Sequence, residues 1–326
     1  MTGFWLTLCM LLTYLIILVT RLIINKTGSN LLSSDTFALV LGTVPIYICA
    51  FLYFFMMKRP PAMPASHVSL SKKQIVILYF IGEACLTVGN LIGVVLGLVI
   101  NSIFKIQSSN TTIQMLSKTN IPVLLIVAII IGPIFEELIY RKFFIDRVGG
   151  YVPAAAIIMS GLCFGLFHQN LYQFFYTTAL GCLFAFIYLS TGKNLINTLM
   201  HILMNFIHSF VPFIIMRHIN LDVLTESAGD LSKMLSTASE NPDAMMGTLK
   251  TIYTPWFIML MIYSIFIFAA AIIGVIFFII HFKLIKSLVP KGFTDTKTAL
   301  KQILIQPFII TFIVTHIALA VLTLII

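Results

Sequence analysis

Charge is what this chain has least of. Asp, Glu, Lys and Arg make up only 10% of its 326 residues, against 60% hydrophobic residues and a mean hydropathy of +1.05. A soluble domain carries about 25% charged residues, so that class is excluded. Acidic residues are scarcest: 11, against 20 basic ones. The five cysteines (Cys9, Cys49, Cys85, Cys163, Cys182) are odd in number, lie within apolar runs and lack metal-ligand spacing. They read as free buried thiols rather than a disulfide framework. No HExxH helix, internal repeat or low-complexity tract is present, which removes the zincin signature and the solenoid folds. The N-terminal stretch Met1-Thr-Gly-Phe-Trp5 lacks the basic region and cleavage site of a secretory signal, so its apolar run is expected to stay as a first transmembrane helix.

What the chain has in abundance is long apolar runs. They are too continuous for the alternating strands of an outer-membrane barrel, and a backbone in lipid must satisfy its own hydrogen bonds. The expected fold is all-α, a polytopic membrane helical bundle. At about 20 residues per crossing, spans fall near 4–24, 36–57, 74–100, 121–146, 152–169, 172–190, 194–215, 255–283 and 304–325. The fifth and sixth are joined by the short uncharged His168-Gln169-Asn170, which leaves room for a hairpin that does not fully cross and for an eight-span count. The bundle divides into N-terminal transmembrane helices (1–119), a core (120–215), an acidic loop (216–254) and C-terminal transmembrane helices (255–326).

Segments 58–73, 141–151, 191–194 and 283–303 hold 13 of the 20 Lys and Arg, which places them in the cytoplasm together with the N-terminus. The 216–254 loop, with Asp222, Glu226, Asp230, Glu240 and Asp243, then lies outside, where it offers a docking site for a protein partner. Basic residues beside spans serve orientation and anionic lipid, so nucleic acid is not expected as a partner. The Ile-, Phe- and Lys-rich composition suits a bacterial cell membrane.

Within the fourth span stand two carboxylates, Glu136 and Glu137. A charge at mid-bilayer costs roughly 2.5–3.5 kcal/mol on insertion scales, so such residues face a protein interior or a wet cavity. Glu137 and Arg141 are four apart with Glu first, the favourable order for a helical ion pair. Glu136 lies about 100° around the helix from Glu137 and is freer to face a cavity, and Gly132 and Pro133 just before it can loosen the helix. On the fifth span Gly161, Phe164, Gly165 and His168 share a face, with the glycines permitting a close helix approach. On the seventh, His201 and Asn205 stand one turn apart on the same face and can point into one pocket, with His208 another turn along. Helix rise puts Glu136, His168, His201 and Asn205 at similar depth. A carboxylate, two imidazoles and an amide converging there suit water activation with oxyanion stabilisation. Glu83 and Asn90 on the third span read either as singly satisfied groups or as part of a polar conduit.

The three clusters resemble, in order, the motifs of the CAAX protease and bacteriocin-processing (CPBP, or Abi) family of intramembrane proteases, related to type II CAAX prenyl endopeptidases. EExxxR is Glu136-Glu137-Leu-Ile-Tyr-Arg141, FxxxH is Phe164-Gly-Leu-Phe-His168, and HxxxN is His201-Ile-Leu-Met-Asn205. The resemblance covers about 120–210. It implies that Glu136 is the general base on a water held with His168, that His201 and Asn205 bind the oxyanion, and that Glu137, Arg141 and Phe164 support them. The amide of Asn205 can donate but cannot titrate, which suits the oxyanion role. The expected function is an intramembrane endopeptidase acting on a membrane-associated peptide or protein, such as a precursor peptide or bacteriocin leader, without a cofactor. A zinc enzyme ligated by His168, His201 and Glu136 is the disfavoured variant. The alternatives are a non-proteolytic immunity or scaffolding protein that retains the constellation, and a transporter using Glu and His as a proton relay.

Overall fold

The computed structural model describes residues 2–27, 34–56, 68–105, 119–146, 152–219, 254–289 and 295–325, and every regular element among them is helical. We number them α1 (Thr2–Thr27), α2 (Asp35–Met56), α3 (Lys72–Phe104), α4 (Ile121–Ile145), α5 (Pro153–Phe167), α6 (Leu171–Thr191), α7 (Asn194–Met216), α8 (Pro255–Leu288), α9 (Thr296–Leu304) and α10 (Pro307–Ile325). Each of the nine expected spans coincides with one of these helices. The 216–254 loop lies almost wholly outside the described residues.

The protein is an integral membrane helical bundle. Among the described residues α3, α4, α6, α7 and α8 are long and apolar enough to cross a membrane, and the pair α9–α10, bent by 72°, makes a sixth if it is one broken span. The 15 residues of α5 extend about 22 Å at helical rise, short of the roughly 30 Å hydrocarbon core. The fifth segment is therefore too short to cross that core as a regular helix, whereas the sixth, α6, is long enough to span it. Helix α9, basic on its exposed side and buried only at Ala299, was hidden inside the segment assigned to a cytoplasmic connection.

Local chemistry fixes the helix ends. Ser71 and Gln74 form a reciprocal capping box at the start of α3, which satisfies two otherwise orphaned backbone donors. Asn170 caps α6 by accepting from the Tyr172 N–H at 2.9 Å, and Gly192 closes the same helix at φ 67°, a conformation glycine adopts without steric cost.

Helix α6 is the most enclosed of the spans. One of its sides packs with α4, α5 and α10 through Tyr140, Phe144, Met159, Phe164, Leu189 and Phe312. Another packs with α3 and α7 through Leu78, Ile81, Leu180, Phe184, Met200 and Met204. By contrast α8 turns Ile262, Ile265, Ile272, Ile279 and Ile280 outward, which is the arrangement expected of a lipid-facing wall. Of the cysteines, Cys163 is buried and Cys85 and Cys182 partly so, all three as free thiols; the side chains of Cys9 and Cys49 lie outside the described ones.

Glycine sets the close approach of α5 to α6. A Cβ on Gly161 would lie 2.7 Å from the Thr178 carbonyl, one on Gly165 2.9 Å from the Phe174 carbonyl, and one on Gly181 2.8 Å from the Gly161 Cα. The small-residue face foreseen for the fifth span is thus an actual helix contact, and His168 ends that helix.

Candidate active site

Two of the three motif helices are not regular α-helix. In α4 the stretches Leu124–Ile131 and Leu138–Ile145 are π-helical and bracket the α-helical Gly132–Glu137; in α7 Phe206–Phe210 is π-helical. The first of these widened stretches gives way to Gly132-Pro133 and the last to Val211-Pro212. A proline lacks the N–H that continues the ladder and its ring clashes with the carbonyl four residues back, so a wider turn there is the less costly register. Each proline then sits in the first turn of the α-helical segment that follows, where no donor is required of it. Wide turns of this kind recur at functional sites.

The Glu137–Arg141 pair stands as the spacing predicts. Both side chains are fully buried, with Arg141 Nε 3.0 Å from Glu137 Oε2 and a terminal nitrogen 3.3 Å from Oε1. Arg141 also donates to Ser160 Oγ at 2.8 Å, and its guanidinium lies over the rings of Phe164 and Phe184 at 5.3 and 5.7 Å. Phe164 thus supports the cation on one side and meets the His168 ring edge-on at 5.0 Å on the other.

His201 bridges the two carboxylates. Its Nδ1 is 3.1 Å from Glu137 Oε1 and its Nε2 is 3.6 Å from Glu136 Oε2. Nδ1 thus faces the carboxylate that Arg141 also holds, and Nε2 faces Glu136. Sequence reasoning assigned Glu137 to Arg141 alone and missed this second tie. Glu136 Oε1 accepts a further bond, at 3.3 Å, from the hydroxyl of Tyr47 on α2.

Glu136 and His168 open onto one cavity of about 260 Å³, whose other walls are Thr13, Tyr14 and Ile17 of α1, Gly42, Thr43, Ile46 and Tyr47 of α2, and Phe167 and Gln169. His168 is half-buried, and its Nε2 is shielded from solvent without a protein partner among the described residues. Gln169 beside it holds the left-handed region at φ 49° and accepts a hydrogen bond from the Tyr14 hydroxyl.

Asn205 is elsewhere. Its amide donates to the Ala128 carbonyl at 3.3 Å, and it lines a second cavity of about 380 Å³ with Asn90, Gln173, Tyr176, His208 and Tyr263. His208 in turn bonds Glu83 at 2.6 Å. His201 and Asn205 therefore do not enter one pocket, as their spacing suggested, whereas Asn205 and His208 line the same cavity; the three reach α4 carboxylates, an α4 carbonyl and an α3 carboxylate in turn. Glu83 thus has a partner 125 residues away that sequence did not signal, on Oε2 alone, while Asn90 lines the adjoining cavity. Among the described residues no group of three or more His, Cys, Asp or Glu is disposed to hold a metal ion.

All three motifs lie in residues 118–207, which match the family described as "Type II CAAX prenyl endopeptidase Rce1-like". This segment is similar to the CAAX proteases. It is also similar to the Bacillus subtilis (strain 168) protein called "Putative membrane peptidase YdiL", 32% identical over 103 residues, which are 30% of this chain and 41% of that protein. The chain thus spans under half the length of that relative. No solved structure matches it. Tyr47, Glu83 and His208 fall outside the CAAX protease segment.

Proposed function

We propose that the protein is an intramembrane endopeptidase that hydrolyses a peptide bond of a membrane-associated peptide or protein, in a bacterial cell membrane and with a cytoplasmic N-terminus. The observation that carries this reading is the position of Glu136. Its carboxylate faces a cavity that the His168 side chain also lines, while His201, anchored by Glu137 and Arg141, stands behind it.

In this reading Glu136 takes a proton from a water lodged between it and His168 and later returns that proton to the departing amine. Nε2 of His201 stands 3.6 Å from Glu136 Oε2, where it helps to orient the base. Glu137 fixes the imidazole tautomer, as the buried acid of a catalytic triad does. The oxyanion role implied for His201 and Asn205 requires each to exchange a partner it holds at rest, Glu136 for one and the Ala128 carbonyl for the other. If the enzyme used zinc, His168, His201 and Glu136 would be its ligands.

The test uses the full chain in detergent or liposomes with a quenched membrane peptide. Glu136→Gln and His201→Ala, each shown to fold as the parent does, are expected to abolish cleavage, and a chelator to leave the parent unaffected. Undiminished cleavage by Glu136→Gln overturns the assignment of the base. Loss of activity on chelation, restored by zinc, transfers the same residues to a metal mechanism.

A further inference from the structure

Hydrolysis through a tetrahedral intermediate needs a hydrogen-bond donor about 3 Å from the developing oxyanion, and each such donor contributes substantially to the rate. The resting site is short of donors on the Glu136 side. Asn205 donates to Ala128 and lines the other cavity, and His201 directs its Nδ1 to Glu137. Tyr14 donates to Gln169 and Thr43 to the Leu39 carbonyl.

Tyr47 differs from these. It is buried, it lines the same cavity as Glu136 and His168, and its hydroxyl donates to Glu136 itself. Its ring is held by stacking on Phe135 at a centroid distance of 5.1 Å and an interplanar angle of 14°. Tyr47 is contributed by α2, outside the segment matched to the CAAX protease family.

We propose that Tyr47 is a catalytic residue that donates its phenolic hydrogen to the oxyanion formed when Glu136 activates water. The inference rests on the peptidase reading above. When Glu136 accepts the water's proton, the water oxygen bonds to the peptide carbon and the C=O π pair moves onto the carbonyl oxygen. Negative charge thereby leaves the carboxylate and appears on the substrate. Hydrogen bonds to an ionised acceptor are roughly twice as strong as those to a neutral one, so the same proton transfer that weakens Tyr47···Glu136 strengthens Tyr47···oxyanion. The donor follows the charge across the cavity. When the C–N bond breaks, the oxyanion's electron pair re-forms the carbonyl, Glu136 returns its proton to the amine, and Tyr47 turns back to the carboxylate.

The deciding variant is Tyr47→Phe in the full-length protein, which keeps the ring stack and removes only the hydroxyl. Its kcat is expected to fall about a hundredfold or more, with KM unchanged, the pattern of an interaction made only in the transition state. Its thermal unfolding midpoint should match the parent's. A kcat within threefold of the parent, while Glu136→Gln is inactive, overturns the role of Tyr47 and leaves the peptidase reading standing. A parent activity unaffected by Glu136→Gln overturns both. A raised KM at constant kcat reduces Tyr47 to a substrate-binding wall and also overturns the proposal. If Tyr47→Phe misfolds, the same comparison is made with a fluorinated tyrosine at 47, which keeps the shape and changes the acidity of the hydroxyl; a rate that ignores that acidity counts against the donor role.

Discussion

His201 Nδ1 lies 3.1 Å from Glu137 Oε1, and Arg141 Nε lies 3.0 Å from the other oxygen of the same carboxylate. One buried acid thereby holds both the cation that keeps it ionised and the imidazole that faces Glu136. Stability and catalysis should respond differently when this arrangement is dismantled. Arg141→Met leaves Glu137 as an uncompensated buried charge and should cost about 3–5 kcal/mol. Adding Glu137→Leu removes that charge, and apolar replacement of both members of a buried pair is often neutral. The double variant is therefore expected to regain most of the lost stability in detergent unfolding while remaining inactive, because His201 has lost its anchor. A double variant that regains activity along with stability would show that the pair serves folding alone.

Gly132 supplies a second separation of the same kind. A Cβ there would stand 3.2 Å from the Tyr47 hydroxyl and 3.3 Å from the Val127 carbonyl, so Tyr47 must shift by a few tenths of an ångström to admit it. Alanine is the better helix former by about 0.8–1 kcal/mol. Gly132→Ala should leave the unfolding midpoint unchanged or slightly raised, while kcat falls by less than in Tyr47→Phe. Parallel loss of stability and activity would point to steric damage instead.

The α5–α6 contact sets where His168 ends up. Gly165→Ala drives a methyl toward the Phe174 carbonyl and the Thr178 side chain, and Gly161→Ala drives one toward the Thr178 carbonyl. Backbone atoms cannot swing aside as a flexible side chain does, and overpacking typically costs 1–3 kcal/mol. Each variant should unfold at lower temperature, with Gly165→Ala losing more activity because it lies less than one turn from His168. Wild-type midpoints for both would mean that the helices separate freely at this contact.

Much of this could be read along the chain. Apolar run length located the nine expected helices, and an i, i+4 spacing located the Glu137–Arg141 bond and the glycine face of α5, because these depend on neighbours in sequence. Periodicity states which residues share a face but not which helix that face meets. So Tyr47, 89 residues before Glu136, gave no signal, and His201 and Asn205 were assigned one pocket although different partners await them. The π-helical turns before Pro133 and Pro212 add to the discrepancy, since they alter the angular step on which the one-face argument depends.

The Glu83–His208 bond sits apart from the Glu136 cavity and tests how far the two sites are independent. Glu83 is fully buried on α3, and its Oε2 meets His208 Nε2 at 2.6 Å beside the second cavity. Removing one partner leaves the other buried without its mate, so His208→Leu should cost about 3–5 kcal/mol. Glu83→Leu with His208→Leu should recover most of it, as paired apolar replacement does. The coupling term from this double-mutant cycle measures the pair directly. Because the bond fastens α7 to α3 beyond the turn that carries His201, the double variant is expected to keep cleavage activity within a few-fold of the parent. A hundredfold loss at full stability would mean that this dyad reaches the chemistry after all, through the helix it shares with His201.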